Sequence, residues 1–119
     1  SNREDFARAM IEGMLCGMAD AVASLEKLGV EVKRILIVGG AAKNPAVGKI
    51  ASAIFGREVI IPAPGEYVAI GAAKLAAWAL LGTERPPEWN LGDVTSIKEV
   101  ATPEVLIKYR KLRDQTQGW

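Results

Sequence analysis

The chain has 119 residues, 15 Lys+Arg against 14 Asp+Glu, and no His, for a formal net charge of +1. That length allows one domain with one core, and the near-neutral balance speaks against nucleic acid or an anionic membrane as the main partner. The absence of His removes the commonest general base and metal ligand, and one Cys excludes an internal disulfide or a multi-Cys zinc site.

Half the residues are apolar, with 18 Ala and 12 Gly. Small side chains at that density predict closely packed elements, including surfaces that pack against material outside this chain. Ser1-Asn2 reads as an expression-tag remnant and is set apart from the fold. The longest nearly uncharged run, Tyr67 to Thr83, is short of the ~20 apolar residues of a bilayer span. A soluble, cytoplasmic, reduced protein is the expectation.

Residues 3–28 read as a long helix. Phe6, Met10, Met14, Met18, Val22 and Leu25 recur at spacings of four and three and form one apolar stripe. Beside them run Ala9, Gly13, Gly17 and Ala21, a strip of small residues that another backbone could approach. Gly29 suits a left-handed C-terminal cap. Cys16, on this helix, is expected to be an inert packed thiol.

Lys33–Val38 is a short β-branched run ending at Gly39-Gly40 and predicts a buried strand. Asn44 then suits an N-cap and Pro45 the first helical position, where a missing N–H costs nothing. This second helix runs to about Phe55, with Val47, Ile50, Ala51 and Ile54 on one face and Gly56 at its end. Arg57–Ile61 predicts a second strand, broken by Pro62-Ala63-Pro64-Gly65. Glu66 opens a third helix, to about Leu81, placing its carboxylate as a cap at the positive end of the dipole. Apart from Lys74 that helix is apolar all round, which predicts burial on most sides.

Residues 82–102 read as a surface connection. Residues 103–113 form a short amphipathic helix with a basic, solvated face, and the tail from Asp114 is expected to fray. The fold class is therefore α/β, in the order helix, strand, helix, strand, helix, plus a C-terminal helix. Two strands do not make a stable sheet with both faces covered. The chain is thus read as a piece of a larger α/β domain, the alternative being a homodimer formed through the sheet.

One place has the chemistry of a ligand site: the turn from the first strand through Gly39-Gly40 to the helix at Asn44-Pro45. Glycines there let a ligand approach the backbone without meeting a Cβ, and ligands of open α/β sheets bind outside the carboxyl ends of the strands. The turn is neither a G-x-G-x-x-G dinucleotide fingerprint nor a P-loop. No catalytic group, metal cluster or paired carboxylates can be assigned, so this chain is read as binding or positioning without completing a reaction alone.

Several ordered strings carry a resemblance: Arg8-Ala9-Met10-Ile11-Glu12-Gly13, Leu28-Gly29-Val30, Ile35 to Pro45 (ILIVGGAAKNP), Ala53 to Val59 (AIFGREV) and Pro64 to Ala73 (PGEYVAIGAA). Together they resemble the C-terminal part of the FGGY carbohydrate kinases, most closely those acting on xylulose. The resemblance implies part of an actin-like ATPase (ribonuclease H-like) domain at 3–81, with 103–119 as closing helix and tail. It implies ATP and Mg²⁺ as cofactors, the ion held mainly by an N-terminal domain outside this chain. That domain would be the partner of this one and would carry the sugar and the catalytic aspartate.

The implied activity of the intact enzyme is transfer of the γ-phosphoryl group of ATP to the 5-hydroxyl of D-xylulose, with this piece inactive alone. A kinase for another sugar or polyol of the family is one alternative; a non-catalytic, self-associating module is the other. By the resemblance, Gly39 and Gly40 approach the ribose and α-phosphate, Ala41 and Asn44 border the adenine, and Val47 adds apolar contact beneath the ring. The family often has Gly where Ala41 stands and an aromatic residue where Val47 stands.

Overall fold

The computed structural model describes residues 1–90 and 92–119. Among these residues four helices, α1 (Arg3–Lys27), α2 (Pro45–Phe55), α3 (Tyr67–Leu81) and α4 (Pro103–Thr116), and two strands, β1 (Val59–Pro62) and β2 (Val94–Ile97), run in the order α1, α2, β1, α3, β2, α4. A 3₁₀ turn spans Gly40–Lys43. None of the described helices is long and apolar enough to cross a membrane.

Each helix boundary has a local cause. Asn2 accepts from the Asp5 amide at 2.7 Å while the Asp5 carboxylate accepts from the Asn2 amide at 3.3 Å, a capping box that makes Asn2 the N-cap of α1. At the other end Gly29 takes φ 89°. Its amide and that of Val30 donate back to Glu26 and Leu25, a Schellman closure. Asn44 caps α2 through the Ala46 amide at 3.0 Å, with Pro45 at the first helical position and left-handed Gly56 at the end, as the residues predict. Glu66 precedes α3, but its side chain forms no capping bond.

The core lies where α1 and α2 cross above β1. Leu15, Cys16 and Ala19 of α1 meet Ile50, Ala51 and Ile54 of α2, with Val59 of β1 beneath them. The α2 face is the expected one. On α1 the packing selects Leu15, Cys16 and Ala19, and the stripe from Phe6 through Met18 stays exposed, Phe6 at 70 %. The helix carries two apolar faces, and small Cys16 and Ala19 let α2 approach more closely than a row of methionines permits. The strip of small residues receives no backbone: Gly13 faces open space, and Gly17 faces the Tyr109 hydroxyl of α4.

The sheet is small. β1 pairs antiparallel with β2, Val59 opposite Ile97 and Pro62 opposite Val94. On its other edge β1 meets the 33–38 run through one parallel bridge, Leu36 to Ile60, with Ile37 N–H donating to Ile60 C=O and Ile60 N–H to Ile35 C=O, both at 2.9 Å. The expected buried first strand is thus an extended segment, half-buried at residues 35–37. β2 lies inside the run expected as a plain surface connection. It forms because Ile97 reaches over Gly48 beside Ile61, where a Cβ on Gly48 would come within 2.6 Å of Ile97 Cδ1. Ser52, fully buried, ties the layers together: its hydroxyl donates to Arg57 C=O at 3.0 Å and accepts from the Glu99 amide at 2.8 Å.

Two helices depart further from expectation. α4 runs to Thr116, past the expected fraying point at Asp114, and its basic face is not merely solvated: Arg110 and Arg113 both bond Asp20 of α1. α3 has no buried residue at all, with Val68 90 % and Leu80 89 % exposed. Only Tyr67, Lys74, Ala77 and Trp78 of this helix are half-buried, and the rest of it is exposed. The radius of gyration, 17.1 Å, exceeds the roughly 13–14 Å expected of a compact chain this long.

Candidate nucleotide cleft

A cleft of about 540 Å³ opens at the carboxyl ends of the 35–38 segment and β1. These two run parallel, so both end at the same edge. Gly39 and Gly40 form one wall, and the Pro62–Tyr67 turn forms another. Asp93 and Thr95 enter from the start of β2, Lys43 from the end of the 3₁₀ turn, and Glu66 from the start of α3. A volume of this size suits a ligand of a few hundred daltons.

The glycine wall is bare backbone. Gly39 sits at φ 103°, a conformation that a side chain disfavours, and a Cβ at either glycine would meet no atom within 4 Å. Among the described residues the amides of Gly39 and Gly40 find no acceptor, while Gly39 C=O accepts from Ala42 at 3.2 Å and closes the turn. On the second wall the Tyr67 hydroxyl donates to Ala63 C=O and braces the proline turn.

The other residues expected at the site are placed differently. Ala41 and Asn44 are exposed beside the cleft without lining it, and the Asn44 carboxamide oxygen is engaged as the α2 cap. Val47 is buried, 5 % exposed, beneath the turn. The second wall escaped the sequence reading. Its one signal was the Pro-Ala-Pro-Gly turn, whose nearness to Gly39-Gly40 depends on the single parallel bridge.

The described residues hold no group of three His, Cys, Asp or Glu able to ligate a metal. The thiol of Cys16 is raised above its ordinary value by burial, then by Glu12 and Asp20, with Arg110 opposing. It lies in the core and stays protonated at neutral pH.

Residues 1–80 match the model of the FGGY family of carbohydrate kinases, C-terminal domain. The chain belongs to this family. Among solved structures it is similar to the xylulose kinase from Bifidobacterium adolescentis, 42 % identical with a TM-score of 0.76, over 95 % of this chain and 22 % of that one. Among curated relatives it is 38 % identical over 80 residues to a glycerol kinase of Thermococcus kodakarensis, covering 67 % of this chain and 16 % of that protein. It is 33 % identical over 78 residues to a xylulose kinase of Staphylococcus epidermidis, again 16 % of that protein. The chain thus spans about a fifth of the proteins it matches, and its α/β fold is the corresponding part of an actin-like ATPase domain.

Proposed function

We propose that this chain forms part of the nucleotide side of an ATP-dependent FGGY sugar kinase, with Gly39 and Gly40 as the shelf that receives adenosine. The observation that carries this reading is the bare glycine wall at the carboxyl edge of the sheet, open to an approaching ligand. ATP, when bound, supplies the γ-phosphoryl group to be transferred. The residues of this chain hold the nucleoside: the glycine amides offer donors to its polar edges, and Ala41 and Asn44 border the adenine. Val47 supports the shelf from below. No acid, base or metal ligand set of this chain takes part, so Mg²⁺ and the proton acceptor are assigned to the remainder of a longer enzyme, the partner of this domain.

D-xylulose, phosphorylated on its 5-hydroxyl, is the favoured substrate. The similarity to the Bifidobacterium adolescentis xylulose kinase extends over nearly the whole chain, α4 included. A polyol kinase is the second reading, favoured by the 38 % identity to the Thermococcus kodakarensis glycerol kinase.

The nucleotide reading is tested by titrating the ¹⁵N-labelled 119-residue chain with adenosine. Shifts should concentrate at Gly39, Gly40 and Ala41, and Gly40→Val should abolish them while leaving the rest of the spectrum intact. No shift at these amides at millimolar adenosine would overturn it. Phosphorylation of xylulose against glycerol by the longer enzyme decides the substrate, and sugar-dependent ATPase activity of the 119-residue chain alone would contradict the assigned division of labour.

A further inference from the structure

We propose that Lys43 is a binding residue for the α-phosphate of the nucleotide, an inference that rests on the adenosine reading of the same cleft. Lys43 ends the 3₁₀ turn that Gly40 begins and lines the cleft together with both glycines. It is exposed, and it pairs with no carboxylate among the described residues. It is also the only cation among the residues that line this cleft; the other two charges there, Glu66 and Asp93, are negative.

That charge pattern orients a nucleotide. The carboxylates enter from α3 and from the start of β2, and they repel a phosphate on their side. The Lys43 side of the cleft carries its one positive charge, and Gly39 and Gly40, whose amides find no acceptor among the described residues, line the same cleft as further donors. A nucleotide with its adenosine on the glycine shelf therefore places its phosphate toward Lys43. Its hydroxyls and amino groups face the carboxylates, which can accept from them.

The test compares adenosine with AMP on wild-type chain, Lys43→Gln and Lys43→Arg, by amide-shift titration at low and high salt. The wild type should bind AMP more tightly than adenosine. Lys43→Gln should weaken AMP about threefold to fivefold, as for a solvent-screened ion pair, and leave adenosine unchanged. Lys43→Arg should restore AMP binding, and added salt should erase the AMP advantage. An AMP affinity unaffected by Lys43→Gln, or an equal loss for adenosine, overturns the role of Lys43 while the shelf reading stands. Wild-type chain that binds neither compound overturns both.

Discussion

Arg110 of α4 donates to Asp20 of α1 at 2.8 Å, joining two residues 90 positions apart, and Arg113 bonds the other oxygen of the same carboxylate. This clamp closes the C-terminal helix onto the first helix. It sits beside the core, next to Tyr109, which packs over the same region.

The clamp makes stability depend on pH. Burial acts to raise the Asp20 pKa, but the bonds from Arg110 and Arg113 outweigh it and hold the carboxyl below its ordinary value. The folded state therefore binds that proton less readily than the unfolded chain. The stabilisation is present in full above the ordinary carboxylate range and disappears as pH falls below about 4. Asp20→Asn should unfold at lower urea than wild type at pH 7, and the gap should close toward pH 2. A gap of constant size across that range would show that the carboxylate charge is not the cause.

Burial separates two leucines. Leu15 is enclosed by α2 and β1; truncating it to Ala should cost about 2–5 kcal/mol by denaturant unfolding. Leu80 lies on the uncovered side of α3, so Leu80→Ser should change stability by no more than about 0.5 kcal/mol.

Ser52 is the only polar residue buried as a whole among the described residues. Ser52→Ala would leave Arg57 C=O and the Glu99 amide without this partner, at a cost of about 1–3 kcal/mol. Amide exchange at Glu99 should accelerate with it, because that bond holds the segment leaving β2.

The two shelf glycines should respond differently to alanine. Gly39→Ala must place a Cβ at φ 103° and should lose about 1–3 kcal/mol from backbone strain. Gly40→Ala has ordinary dihedrals and open space around its Cβ, so its thermal midpoint should stay near wild type. Equal destabilisation of both would show that crowding, rather than backbone conformation, governs the turn.

Much of the local architecture was legible in the residues. Asn44-Pro45, Gly56 and Gly29 announce helix ends because capping depends on a handful of adjacent atoms. The α2 face of Val47, Ile50, Ala51 and Ile54 followed from spacing, since its large apolar residues recur at three and four, and the packing extends burial to Gly48, Ser52 and Ala53. The Gly39-Gly40 turn stood out for the same local reason. On α1, two apolar faces competed, and the sequence could not say which one α2 covers. The 94–97 strand was hidden because its pairing depends on β1, more than thirty residues away, and on the space left by Gly48.

By itself, then, the chain's sequence determined where helices start and stop, the glycine turn, and the family to which that turn belongs, because each depends on neighbouring residues. Only the tertiary structure decided which face of α1 is buried, that no residue of α3 is fully buried, and that the proline turn, Lys43, Glu66 and Asp93 share one cleft with the glycines. Those outcomes depend on packing and pairing between distant segments, which no local pattern encodes.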